Sequence, residues 1–325
     1  MKAHALIARS YSDLMLLFAS ALTVAACGDT EQASRAAPAR DTSSPATAVA
    51  DSTHWKAVDR AMGRSGKMQP GDVYKYSLPR GDLRVSAAGV AVQPALALGS
   101  WVAFKGGGGK TVAMGDLVLT ENEIAPVMGK LQEMGVEQTA LHNHLLHESP
   151  RVMYMHIHAE GDPEKIAQAV HAALALTKTP PAKPEAAEPA AALELDTAAV
   201  SQALGYSGKA NGGVYQVSVP RAEPVRADGM EVPPSMGVAT AINFQPTGGS
   251  KAAVTGDFVM TAEEVNPVLK ALREADIEVT ALHNHMLDEE PRLFFAHFWA
   301  NDKALRLARG LRAALEHMNV KKTTS

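Results

Sequence analysis

The sequence predicts a duplicated α+β protein: two homologous domains, each an antiparallel-rich sheet with a histidine-bearing β-hairpin packed by helices. Three observations lead there. The chain repeats itself at an offset of about 141, so that Ala140-Leu141-His142-Asn143-His144 returns as Ala281-Leu282-His283-Asn284-His285. Alternating β-type runs fill the middle of each copy. Apolar residues at helical spacing mark the helix that closes each copy, as Ile166, Val170 and Leu174 do in the first and Leu307, Leu311 and Leu315 in the second.

The first segment, residues 1 to 26, reads as a lipoprotein signal peptide. Lys2 and Arg9 precede an apolar run from Leu14 to Ala26, and the small residues Val24-Ala25-Ala26 stand before Cys27. The apolar run is shorter than the roughly 20 residues of a spanning helix. Cleavage and lipidation of Cys27 is therefore the expectation, with the membrane as a partner through the lipid and the cell envelope as the location. Cys27 is the only cysteine of the chain, so neither disulfides nor thiolate metal ligands are available to the domains. Residues 27 to 52 are Ala, Ser, Thr, Pro and charged residues without apolar periodicity and read as a flexible tether. Residues 53 to 178 form the first repeat and 193 to 325 the second; Pro180, Pro181, Pro184 and Pro189 make 179 to 192 a semi-extended linker.

With 325 residues and 46% hydrophobic content, the chain is long enough for two packed cores. Its net charge of -4 leaves no electrostatic footprint for nucleic acid. A nucleotide is not expected either: the run Gly106 to Gly109 before Lys110-Thr111 has Phe104 where a phosphate loop needs glycine, and reads as a hairpin turn.

Each copy opens with a helix, His54 to Met62 and Asp196 to Leu204, which stops at Gly63 or Gly205. Val73 to Leu78 alternates as a strand, Leu96 to Phe104 is a mostly apolar strand, and Val112 to Leu119 is another with Gly115-Asp116 inside it. Glycine within a strand marks a bulge or a close backbone approach. Thr120 through Glu123 and Thr261 through Glu264 fit a capping box, yet Pro126 and Pro267 suggest that the helix proper starts at the proline. Two histidine strands follow, and amphipathic helices from Pro163 to Leu176 and from Lys303 to Met318 close the copies.

The chemistry centres on the histidines. In an extended strand, side chains two apart share a face, so His142 and His144 stand together, as do His156 and His158 on the next strand. A hairpin through Pro150 brings the two forks face to face. In the second copy His283, His285 and His297 match His142, His144 and His156, while Trp299 replaces His158; Glu148 and Glu289 also match. Three histidines and a glutamate per copy suit a divalent metal, zinc foremost, with copper, nickel or iron accepting the same ligands. Glu148 and Glu289 stand as fourth ligands or as general bases, and His158 as an additional ligand. Asp116 and Asp257 can orient a ligating imidazole. Arg80, Arg151, Arg221 and Arg292 each follow a proline, and they either bind an anionic envelope ligand or pair with neighbours such as Asp82 and Glu148. Met153, Met155, Phe294 and Phe295 read as core.

The order His-x-His-x-x-x-Glu is similar to the first half of the cupin metal motif. No glycine follows Glu148 at the expected distance and the next histidine comes too soon, so no cupin fold is assigned. Val-Tyr with Pro-Arg, Met114-Gly115-Asp116-Leu117, Thr139 through His144, and Pro150 through His156, together with the run ending at Cys27, resemble the LppY/LpqO family of bacterial lipoproteins over about residues 53 to 320. The resemblance implies an exported, lipid-anchored protein with a domain of unassigned function, and it supplies no reaction. Trp299 and the altered turn Gln245-Pro246-Thr247 set the second copy apart. Three functions are compatible with these residues: metal binding at a site in each repeat, a non-catalytic module for an anionic glycan or lipid headgroup, and a metal-dependent hydrolase.

Overall fold

A computed structural model describes residues 52–107, 110–181 and 193–322. Cys27, the segments on either side of it and most of the linker lie outside these residues. Among the described residues, no helix is long and apolar enough to cross a membrane.

The first repeat begins with α1 (Ser52–Met62), β1 (Lys67–Gln69), β2 (Val73–Pro79), β3 (Ser86–Ala87), β4 (Val90–Ala91) and the short α2 (Pro94–Ala97). It continues with β5 (Gly99–Gly107), β6 (Lys110–Thr120), α3 (Glu121–Glu133), β7 (Glu137–His142), β8 (Glu148–Ser149), β9 (Val152–Gly161) and α4 (Pro163–Leu174). The second repeat follows the same plan with α5 (Thr197–Leu204), β10 (Lys209–Asn211), β11 (Val214–Pro220), β12 (Val225–Ala227) and β13 (Met230–Val232). After a 3₁₀ turn at Pro234–Met236 come β14 (Ala239–Gly248), β15 (Lys251–Met260), α6 (Ala262–Glu274), β16 (Glu278–His283), β17 (Phe294–Lys303) and α7 (Ala304–Leu315).

Each repeat is built on one six-stranded antiparallel sheet, in the orders β1-β2-β5-β6-β9-β7 and β10-β11-β14-β15-β17-β16. The α+β class and the duplication hold. Several boundaries differ from the sequence expectation, and the closing helices end at Leu174 and Leu315 rather than at Leu176 and Met318. Leu96 is not in the strand: Pro94 starts a turn of helix there, and β5 begins at Gly99. The long helices begin at Glu121 and Ala262 rather than at the prolines. Their capping boxes are complete, with Glu123 and Glu264 returning to the N-cap backbone. The donors satisfied by those boxes set the start, and Pro126 and Pro267 are carried inside the helix.

One face of each sheet is covered by its own helices. Trp55, Val58, Val127, Leu131, Ile166 and Val170 pack on Tyr76, Phe104 and Leu117 in the first repeat. Leu204, Val268, Leu272, Leu307 and Leu311 do the same on Phe244, Phe258 and Phe298 in the second. The opposite faces pack across the repeats. Val73, Ala103 and Met114 share one apolar cluster with Met236, Val259, Met286 and Phe295, and Val118, Leu145 and Tyr154 share another with Val214, Ala253 and Trp299. The two sheets are thus the inner layers and the helices the outer ones. Polar bonds stitch the same seam: Asn243 Nδ2 donates to the Leu96 carbonyl at 3.1 Å, and Gln245 bonds the backbone of Ala91 and Gln93.

Arg80 and Arg221 lock each sheet to its helix. The Arg80 guanidinium is fully buried and donates to Glu123 at 2.8 Å, to Asp82 and to the Val118 carbonyl. Arg221 does the same with Glu264, Glu223 and the Val259 carbonyl. The neighbouring carboxylates outweigh the cost of burial and raise both arginines further, and Arg80 and Arg221 hold Glu123 and Glu264 low. These donors are committed, so the expectation that Arg80 and Arg221 bind an external anion is corrected: both are structural clamps.

Candidate metal centre

β7 pairs with β9 so that Ala140 lies opposite His156 and His142 opposite Tyr154; β16 and β17 repeat this with Ala281 opposite His297 and His283 opposite Phe295. β7 and β16 are the edge strands of their sheets, and they meet each other. Just past each strand end the chains exchange bonds: Thr139 Oγ1 donates to the His285 carbonyl at 2.6 Å, and Thr280 Oγ1 donates to the His144 carbonyl at 2.5 Å. This exchange turns both His-x-His forks inward onto a shared axis.

The outcome is one histidine cluster made by both repeats, in place of a separate cluster in each. The rings of His142 and His283 stack at 3.6 Å, His144 on His297 at 3.8 Å and His156 on His285 at 3.7 Å, each contact crossing from one repeat to the other. His142, His283, His285 and His297 offer ligand atoms that all lie within 4.8 Å of one another, and this group can hold a metal ion. His142 Nε2 and His297 Nε2 are 3.2 Å apart. Two nitrogens bound to one tetrahedral zinc at 2.0 to 2.1 Å are separated by about 3.3 Å, so this pair already stands at chelating distance.

The hydrogen bonds around the rings point their lone pairs inward. His297 Nδ1 donates to the Gly256 carbonyl at 2.8 Å, which fixes the tautomer and leaves Nε2 as an acceptor facing His142. His156 makes the same bond to the Gly115 backbone, and His283 Nδ1 lies 3.2 Å from the Asn284 carbonyl. Nε2 of His144, His156, His283 and His285 is buried without a hydrogen-bond partner. Buried donors and acceptors left unpaired cost free energy, and the bare nitrogens of His283 and His285, which belong to the four-histidine group, are what a cation satisfies.

Burial, followed by the other imidazoles, drives His142 far below its ordinary range; burial is also the leading cause for His144, His285 and His297. Burial lowers His156 to about 3 and His283 to about 4. The rings are neutral at pH 7, the state that binds metal. Asp116 Oδ2 lies 3.8 Å from His144 Nε2, and Asp257 Oδ2 lies 3.4 Å from His285 Nε2. Burial raises Asp116 to about 8 and holds Asp257 well above the usual carboxylate range. Gly115 and Gly256 let the backbone come close here: a Cβ on Gly115 would meet the Trp101 carbonyl at 2.8 Å, and one on Gly256 would overlap the Ala241 carbonyl. The glycine before each aspartate marks the predicted close approach.

The other candidate residues stand apart. His158 pairs with Asp228 at 2.9 Å and with Glu137, outside the four-histidine group. Glu148 Oε1 accepts from the Val152 amide and Glu289 Oε1 from the Leu293 amide, so each glutamate closes its own loop and neither belongs to that group. Arg292 bonds Glu289 and the Leu287 carbonyl in its own loop. Arg151 is exposed. Periodicity does not single out Thr139 and Thr280, which hold the forks together, although both stand inside the repeated Thr-Ala-Leu-His run.

The fold and the cluster define a duplicated α+β protein with a buried histidine centre that can hold a metal ion. The family described as Domain of Unknown Function (DUF1259) matches residues 56–176 and 198–317, most of the chain in two tandem copies, and the chain belongs to this family. No curated protein matches it. Among solved structures, a trimeric bacterial microcompartment shell protein, PduB, is 13% identical over 78% of this chain and 89% of that one, with a TM-score of 0.19. EtuB from Clostridium kluyveri is 11% identical over 77% and 90%, with a TM-score of 0.18. Similarity at that level carries no argument about fold or function.

Proposed function

We propose that this chain is an exported, lipid-anchored protein that binds one divalent metal, zinc foremost, at a histidine centre shared by its two repeats. The observation that carries the metal is the convergence of His142, His283, His285 and His297 within 4.8 Å, with His142 and His297 already at the spacing of two ligands on one ion. His144, Asp116 and Asp257 stand beside the group and supply further neutral or carboxylate donors. The four ligands come from both repeats, His142 from the first and His283, His285 and His297 from the second, so the expected stoichiometry is one ion per chain and not one per repeat. The apolar run ending at Cys27 supports export and lipidation, and the Thr-Ala-Leu-His-Asn-His and Pro-Arg runs support placement among the LppY/LpqO lipoproteins. The anion-binding module loses two of its four arginines, because Arg80 and Arg221 are committed to carboxylates.

Elemental analysis of the purified protein tests the metal, beside the His142→Ala, His283→Ala double variant. About one zinc per chain, absent from the double variant, is expected, together with a rise in the unfolding temperature of the wild type on zinc addition. No bound metal after reloading, or equal metal in the double variant, would refute the proposal.

A further inference from the structure

His156 is the imidazole that the four-histidine group leaves out on one side of the axis, and its surroundings differ in kind from the rest of the centre. It is 5% exposed, and its Nε2 has no hydrogen-bond partner. With His285, 9% exposed and likewise unpartnered at Nε2, it lines a small cleft whose other walls include Trp101, Met114, Met236 and Met286. Three methionines and two histidines whose Nε2 lacks a hydrogen-bond partner therefore line one space. The methionines come from three separate segments: β6, the 3₁₀ turn before β14, and the loop after β16. No single helical or strand periodicity puts them together.

The geometry points to a second metal site in this cleft, selective for copper(I), with His156 Nε2 and the sulfurs of Met114, Met236 and Met286 as its donors and His285, a ligand of the divalent centre, forming part of its wall. Thioether sulfur is a soft donor that selects copper(I) over zinc. The Lys75 ammonium lies 4.0 Å over the Trp101 ring and bonds the Ser235 carbonyl at 2.8 Å. A positive charge behind the wall of the cleft repels a divalent cation twice as strongly as a monovalent one.

The duplication supplies an internal control. Sheet register places Ala241 at the position of Trp101 and Thr255 at that of Met114, while Leu145 matches Met286 and Leu96 in α2 matches Met236. The mirror side of the axis thus keeps the paired imidazoles, His144 and His297, and has lost every thioether. Packing alone is satisfied by leucine at two of these positions. The methionines add sulfur on one side only.

The site rests on the histidine-centre reading only through His285, so the two can fail separately. The test uses the full chain under reducing, anaerobic conditions, with copper(I) presented by bicinchoninate and zinc measured in parallel. The wild type is expected to take about one copper(I) from the chelator. A Met114→Leu, Met236→Leu, Met286→Leu variant, volume-conserving in each position, is expected to lose at least 100-fold in copper(I) affinity while its zinc content stays that of the wild type. X-ray absorption at the copper edge of the loaded wild type reads the same question without any substitution, and sulfur neighbours are expected. Nitrogen neighbours alone, failure to compete with the chelator, or a variant that retains copper(I) would overturn the copper site and leave the zinc reading standing. Copper(I) held by sulfur with no zinc bound would leave this site standing and remove the divalent centre.

Discussion

The two repeats agree in their imidazoles and disagree in what surrounds them. Both present a His-x-His fork from an edge strand, a third histidine from the adjacent strand, a Gly-Asp pair behind it and an arginine clamp that ties the sheet to its helix. They differ in the layer that touches the rings. Tyr154 stacks on His144 at 3.3 Å and sends its hydroxyl to the Ala97 carbonyl, whereas Phe295 stacks on His285 at 3.5 Å and has no polar end. His158 reaches Asp228, whereas Trp299 is buried in a shared apolar cluster. The lesson is that the groups sitting on the shared axis are bound to one another across it and constrain both copies, while those a step away touch different partners on each side and are free to diverge.

This comparison makes the axis the most sensitive part of the molecule to protons. In the metal-free protein, the unfolded chain binds protons at its histidines below about pH 6.5, while the folded chain, with His156 near 3, His283 near 4 and the others lower still, does not. The histidine contribution to stability is therefore intact above pH 6.5 and falls as the pH drops below it. Asp116, raised to about 8, and Asp257 act in the opposite sense, because the folded state keeps protons that the unfolded carboxylates release above pH 4. The six histidines outnumber the two aspartates, so the net loss between pH 7 and pH 5 is on the order of 5 kcal/mol. Denaturant titrations of chelated protein at the two pH values measure it, and a flat profile would show that the rings are not held neutral.

The clamps sharpen the comparison from the conserved side. Arg80→Ala and Arg221→Ala are each expected to cost about 3–5 kcal/mol, since each leaves a helix-cap glutamate buried without its partner. Similar losses in the two variants, read from urea midpoints, are the expected outcome; a loss confined to one repeat would break the equivalence.

A smaller effect separates the loop glutamates. Burial raises Glu148 to about 7, ahead of the stabilising Val152 amide bond, while Glu289 holds Arg292. A carboxyl raised on folding contributes less as the pH climbs from its unfolded value through 7. Glu148→Gln is thus expected to raise the unfolding temperature at pH 8 relative to pH 5, and Glu289→Gln to lower it modestly at both, by scanning calorimetry. The smallest effect belongs to His158→Ala, whose partly exposed pairing with Asp228 is worth about 1 kcal/mol or less; unchanged zinc content in that variant would keep His158 outside the centre.

Much of this was legible before any coordinates. The repeat, the α+β class, the Thr capping boxes and the six histidines of the cluster all follow from local chemistry and from the internal comparison of the copies. The glycine before each aspartate announced a close backbone approach for the same reason, because it is a property of one short stretch. Taken alone, each copy predicts its own site, with glutamate as the nearest extra ligand. Sequence distance favoured Glu148 for His144 in that reading, whereas the folded chain turns Glu148 into its own loop and brings His283, some 140 residues away, onto His142.

Residue identity thus determined which imidazoles were available and that each copy would present them from a strand edge, since strand alternation and turn chemistry act over a few residues. The tertiary structure alone decided that the two edges meet, that Arg80 and Arg221 are consumed by carboxylates, and that Met114, Met236 and Met286 share a wall with His156. Those outcomes depend on how two sheets pack face to face, and that packing is set by the summed burial of both repeats, which no single stretch of sequence contains.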